Sequence, residues 1–170
     1  MATALLITRD DIVKKTALNG NVDTDLFIQF VQIAQDIHIQ RYLGTDLLVK
    51  IQALITAGTL DDAGNAAYKS LLINYVKPML IHWGMVEYLP FAPYTVANKG
   101  VYKHGSENSE SINDVELYKL VEKERSIAQN YTQRFIDYMS FNNSTYTEYN
   151  SNSNSDVYPD KDVNLTGWVL

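Results

Sequence analysis

The chain of 170 residues has no cysteine, which removes disulfides and thiolate metal sites from consideration. Glycine is also scarce and scattered. Gly58, Gly64 and Gly84 approximate neither a Walker nor a Rossmann loop, so nucleotide binding has no support. Positive charge is in deficit, 14 Lys and Arg against 20 Asp and Glu, for a net charge of −6. A broad surface for gripping phosphates is therefore excluded, although DNA can pass nearby without being held. No apolar run approaches the roughly 20 residues of a membrane span, because Met79-Leu80-Ile81 is followed at once by His82, Gly84 and Glu87. Ala4-Leu5-Leu6-Ile7 is too short, and lacks the basic flank, for a signal peptide. The expectation is a soluble protein that folds in a cytoplasm.

What is present is helical punctuation. Thr8 with Asp11 three residues on forms a capping-box start, and the first helix runs to about Leu18 before Asn19-Gly20-Asn21. Asp23 or Thr24 opens a second helix with an apolar face at Phe27, Phe30, Val31, Ala34, Ile37, Arg41 and Tyr42. Gly44 reads as a left-handed cap and Thr45 as the N-cap of a third helix carrying Leu47, Leu48, Ile51, Leu54 and Ile55, which ends before Gly58. A fourth helix extends from between Asp61 and Asn65 to about Tyr88, with a kink or split expected at Pro78. Tyr94-Thr95-Val96-Ala97 and Val101-Tyr102-Lys103 flank Asn98-Lys99-Gly100 and read as a β-hairpin. Two strands alone are marginal, so Tyr94, Val96, Asn98, Lys99, Gly100, Val101 and Tyr102 are candidates for leaning on the helices or pairing with a neighbouring chain. Asn113 with Glu116 caps a last long helix bearing Leu117, Leu120, Val121, Ile127, Ala128, Tyr131, Phe135 and Tyr138. The expected fold is mainly α: a bundle of about five helices with one β-hairpin near 94–104, a body over 1–139, and an extended tail over 140–170.

The residues supply no catalytic set. His38, His82 and His104 fall in three different elements, and Glu87, five residues after His82, is off its helix face. Asp10-Asp11 and Asp61-Asp62 stand at helix starts, where capping explains paired carboxylates better than acid–base chemistry. Lys119, Lys123 and Arg125 alternate with Glu116, Glu122 and Glu124, as on a solvated, salt-bridged face. No cofactor or metal is expected, and no enzymatic activity.

The tail carries the strongest functional hint. From Ser140 to Ser155 nearly every residue is Asn, Ser, Thr, Tyr or Phe, a composition that reads as unable to build a core. Tyr is enriched at interfaces, and Tyr146 and Tyr149 have only polar neighbours in sequence. With Val157, Tyr158, Leu165, Trp168, Val169 and Leu170 they form a candidate strip for anchoring to a partner. An ordering cost is then met only on binding.

The opening Leu6-Ile7-Thr8-Arg9-Asp10-Asp11, the helix end Ile39-Gln40-Arg41-Tyr42-Leu43-Gly44-Thr45, the stretch Tyr68-Lys69-Ser70-Leu71-Leu72 continuing to Tyr75-Val76-Lys77-Pro78, and Asn98-Lys99-Gly100-Val101 together resemble a tailed-bacteriophage head–tail connector. The resemblance covers roughly residues 5–140 and is greatest to the ring proteins of crAss-like and related Bacteroides phages. It implies a non-catalytic subunit of a homo-oligomeric ring of about twelve copies. Such a ring sits in the virion neck, is made in the bacterial host cytoplasm, docks on the portal and on further neck or tail proteins, and lets the genome pass through its lumen. An acidic wall would let DNA slide. The anchoring role of the tail comes from its own residues and not from the family. The alternative is a small helical regulator or assembly chaperone that uses the tail on a partner protein.

Overall fold

The structure is a computed structural model that describes residues 4–16, 24–97, 100–103 and 113–162. It is mainly α. The capping box at Thr8 and Asp11 starts α1 (Arg9–Lys15) as the sequence predicts. The second helix begins as α2 (Thr24–Ala34), passes through a π turn at Gln35–Ile39 and finishes as α3 (Gln40–Leu43). Next comes α4 (Thr45–Ala57), stopped by Gly58 at φ 69° and ψ 17°, whose left-handed backbone lets its N–H and that of Thr59 reach back to the last turn. A 3-10 turn (Ala63–Asn65) leads into α5 (Ala66–Leu71), a second π turn (Leu72–Val76) and α6 (Lys77–Tyr88). After a paired ladder of β1 (Tyr94–Ala97) and β2 (Gly100–Lys103), α7 (Asp114–Asn142) opens on the predicted Asn113/Glu116 capping box.

The π turns bear on two expectations. At Pro78 the fourth helix is interrupted by a π turn, closed by the Lys77 N–H on the Leu72 carbonyl, and Pro78 follows it in the first turn of α6, where a missing N–H costs least. In the second helix the extra residue delays the inward face by one position. Val31, Ala34, Gln35, Ile39 and Leu43 point inward, while Ile37, expected on the core face, and Arg41 are turned out. Gly44 likewise differs from the expected left-handed cap. Its φ of 75° and ψ of 160° lie in a positive-φ region outside the left-handed helical one, and Thr45 is already the first residue of α4.

At the centre lies α6, buried almost all round through Met79, Leu80, Ile81, Trp83, Met85, Val86 and Tyr88, with α2 and α7 packed on it. The N-terminal segment is clamped across the bundle. Buried Gln35 accepts from the Leu6 N–H (3.0 Å) and donates to the Ala4 carbonyl (3.2 Å), which also accepts from Gln52 (3.1 Å). Leu6, Ile7 and Ile12 join the core, and Lys77 ties α1 to α6 by a 2.7 Å bond to Asp11. The ladder pairs antiparallel, Tyr94 opposite Lys103 and Ala97 opposite Gly100, and among the described residues it adds to no wider sheet. No helix among the described residues is long and apolar enough to cross a membrane.

The tail overturns the expectation that it cannot join a core. After α7 ends at Asn142, 3-10 turns at Asn143–Thr145 and Thr147–Asn150 fold the chain back. Tyr146 and Tyr149 are 0% and 2% exposed and belong to the same core as α6. Their partners are distant in sequence, which is why the local composition hid them. Burying each ring contributes on the order of 2 kcal/mol.

Candidate functional site

The most elaborate polar arrangement is the cradle that holds the tail. Its floor is the junction of α3 and α4, the Arg41-Tyr42-Leu43-Gly44-Thr45-Asp46 stretch. Asp46, in the first turn of α4, accepts from Ser151 Oγ (2.6 Å), Ser153 N–H (2.8 Å) and Oγ (2.8 Å), and Asn154 N–H (3.4 Å) and Nδ2 (2.9 Å). The Ser151 hydroxyl, followed by the Ser153 and Asn154 donors, holds this carboxyl well below the ordinary carboxylate range. Thr45 donates its hydroxyl to Asp156 (2.9 Å) and exchanges main-chain contacts with Val157, giving its N–H to the Val157 carbonyl (2.9 Å) and accepting the Val157 N–H on Oγ1 (3.2 Å).

Gly44 is required twice over. Its positive φ disfavours a side chain, and a Cβ there would lie 2.6 Å from Pro159 Cδ, so the proline ring sits where any other residue would project. Arg41 then closes the row with a 2.8 Å ion pair to Asp160, whose N–H returns a 2.9 Å bond to the Arg41 carbonyl. Finally Lys161 lies over the rings of Tyr149 and Tyr158 at 5.5 Å each, which brings the end of the loop back to its start.

The first part of the tail is fixed by tyrosines. Tyr146 donates to the Ala67 carbonyl (3.2 Å), shares a 2.9 Å bond with the Tyr138 hydroxyl and meets Tyr68 edge-on. Tyr68 in turn donates to Glu148 (2.7 Å), and burial together with that carboxylate pushes its phenol up to about 12. Phe135 supports Tyr149 edge-on at 6.1 Å, and burial pushes that phenol up to about 12 as well.

Of the predicted anchor residues, Tyr146 and Tyr149 therefore face this chain's own core and not a partner. Val157 is half-buried in the cradle and Tyr158 is exposed. Leu165, Trp168, Val169 and Leu170 lie outside the described residues, as do Asn98 and Lys99 of the predicted hairpin set. Tyr94, Val96, Gly100, Val101 and Tyr102 all fall in the paired ladder.

His38 and His82 are structural links between helices, and His104 lies outside the described residues. His38 bonds to Glu87 (2.8 Å) and stacks on Trp83 with ring centres 3.9 Å apart; burial holds its imidazole below the ordinary value despite Glu87. His82 bonds to Glu124 (2.7 Å) and stacks on Tyr131. Glu124 thus leaves the expected solvated face, while Arg125 keeps its pair with Glu122 (3.1 Å). Asp10 stands in the first turn of α1 beside Lys14, but Asp62 makes no side-chain cap bond, and Asp61 pairs with Lys69 (2.8 Å). Among the described residues no group of three or more His, Asp or Glu could hold a metal ion.

Reasoning from sequence missed Asp46 and Thr45. The signal available was weak: Ser151-Asn152-Ser153-Asn154 is a run of donors that a carboxylate can order, but nothing local says which carboxylate meets it.

A family model matches residues 39–159, beginning at the end of the first π turn and stopping at the proline that fills the Gly44 notch. This chain belongs to DUF6712, a family of unknown function. No curated protein and no solved structure matches it. The match spans both the cradle and the tail seated in it, so in DUF6712 terms the loop back from α7 is part of the unit and not an appendage.

Two further surfaces stand open. The first two turns of α7 carry Val115 (65% exposed), Tyr118 (64%) and Leu120, with only Leu117 half-buried among them. At the other end of the helix, Phe141 is 87% exposed on an open surface patch shared with Tyr75, Arg134 and Tyr138.

Proposed function

We propose that this chain is a structural subunit of a phage head–tail connector ring, docked beneath the portal and joining it to the neck or tail, with the genome passing through the lumen. The observation that carries the reading is the overhang of α7. A helix of ordinary monomeric design buries one face along its length, yet Val115, Tyr118 and Leu120 present apolar area around two uncovered turns. A neighbouring copy in a ring covers such an overhang, and the two-stranded β1–β2 ladder, which joins no wider sheet among the described residues, gives that copy an edge to lean on. The resemblance of Ile39-Gln40-Arg41-Tyr42-Leu43-Gly44-Thr45 to connectors supports the same reading, and the net charge of −6 suits a channel that must not hold DNA. No catalytic step belongs to this function. The subunit is made in the bacterial cytoplasm and resides in the virion neck.

The test is cryo-electron microscopy of particles from the source, with mass spectrometry placing the chain among their components. The expected result is a ring in the neck at the portal's copy number, with Tyr118 at the contact between copies. A chain absent from particles would sink the proposal and leave the regulator or chaperone alternative.

A further inference from the structure

Two kinds of attachment meet in the tail at Asn150. Before it, Tyr146 and Tyr149 are sunk in the core. Beyond it, from Ser151 to Asp162, Pro159 alone is buried and the chain forms no helix or strand. The segment 151–161 therefore lies on the body through polar contacts and one proline, without the apolar area that joins 143–150 to the bundle.

Those contacts reach only one short stretch of the body. Asp46 meets Ser151, Ser153 and Asn154, Thr45 meets Asp156 and Val157, and Arg41 meets Asp160. The middle of the segment is closed on itself: Asn152 accepts the Asp156 N–H on its side chain (3.0 Å) and the Ser155 N–H on its carbonyl (3.1 Å), and donates to the Asp156 carbonyl (3.1 Å). This internal turn couples the Asp46 end to the Thr45 end. Pro159 is coupled as well, because it leaves the Gly44 notch only when Val157 and Asp160, bonded on either side of it to Thr45 and Arg41, leave too. Ser155, in the turn, has φ 52°, the one positive φ outside glycine among the described residues, and opening relieves it.

We infer that residues 151–161 form a strap that opens and closes over the junction of α3 and α4 as one unit, hinged at Asn150, while Tyr146, Tyr149 and the helices stay folded. Closed, it fills the Gly44 notch and engages the Thr45 N–H and the Arg41 carbonyl. Open, it uncovers all three and frees Val157 and Tyr158 from the body. The motion needs a single chain and is independent of the ring reading.

The test is amide hydrogen exchange of the full chain at neutral pH, read residue by residue by NMR. Thr45 is the decisive probe, because its N–H belongs to the body but is held by the Val157 carbonyl of the strap (2.9 Å), whereas the Leu48 N–H of the same helix is held by the Gly44 carbonyl (3.2 Å). After correction for intrinsic rates, Thr45, Ser153, Val157 and Asp160 should share one opening constant, and Leu48 and the amides of α6 should open far more rarely. Arg41→Gln, a change at one end of the strap, should raise that constant by about threefold at all four amides, Ser153 included. Asp46→Asn should raise it by about thirtyfold at all four, with Leu48 unmoved. A Thr45 amide that exchanges in step with Leu48 overturns the inference, and so do opening constants that differ from one end of the strap to the other or an Arg41→Gln effect confined to Asp160. Should Asp46→Asn fail to fold, Arg41→Gln decides, since it alters a half-exposed side chain outside the core.

Discussion

Residues 143–162 are rich in Asn, Ser and Thr and are fastened to the body, whereas the first two turns of α7 carry Val115, Leu117, Tyr118 and Leu120 and largely stand clear of it. Composition alone ranks them the other way round. The difference is the availability of matched partners. The tail finds a carboxylate for its donors at Asp46, a notch for its proline at Gly44 and a pocket for two rings beside Phe135 and Tyr68. At the start of α7 no such partner covers the side chains, and Val121 is the first residue of the helix to be buried. Polar residues are cheap to order when each hydrogen bond is met, and apolar ones stay exposed where no surface faces them.

The comparison breaks most severely at Tyr146. Tyr146→Ala should cost about 3–5 kcal/mol in a denaturant titration, the range for emptying a buried aromatic site. A loss no larger than that of a surface substitution would mean that the tail is not part of the core. Gly44→Ala follows at about 1–3 kcal/mol, since it combines a positive φ with a collision against Pro159. Its signature is protease sensitivity near residue 159 with helix content retained.

Asp46→Ala should leave the helices intact but free the donor run, so that limited proteolysis cuts between Ser151 and Asp156 where the parent resists. Acid gives the same separation without mutation. The Asp46 carboxyl is lowered in the folded chain, so its contribution is present above the ordinary value of 3.8 and is lost as pH falls through the folded value. Amide exchange of Ser153 and Asn154 should therefore stay slow until pH is well below 3.8.

His38 acts earlier on the same axis. Its folded value is depressed from 6.5, so the unfolded chain takes up the proton first and stability declines as pH drops below 6.5. A plot of unfolding midpoint against pH should bend there and flatten in His38→Gln. The smallest effect sharpens the other half of the comparison: Tyr118→Ser should change monomer stability by no more than about 0.5 kcal/mol while abolishing the ring assembly proposed above. A large loss of stability would show that Tyr118 belongs to the core after all.

Local rules carried the helix ends far. Thr8/Asp11 and Asn113/Glu116 were legible because a capping box is closed within four residues, and Gly58 because its left-handed turn is. The π turns were not legible. The first holds Gln35, whose bond to Leu6 lies 29 residues away in the chain, and the second precedes a proline in a helix buried on nearly every side, so neither follows from local spacing. For the same reason Ile37 was assigned to the wrong face.

The sequence by itself determined a mainly helical, acidic, cysteine-free chain with its helix starts in place, because those features depend on composition and on residues a few positions apart. Only the tertiary structure decided the fate of the tail. Asp46 and Ser153 are 107 residues apart, as Tyr68 and Glu148 are 80, and no periodicity links such pairs. They meet because α7 returns the chain to the junction of α3 and α4, where unpaired donors, a positive-φ glycine and a free carboxylate satisfy one another.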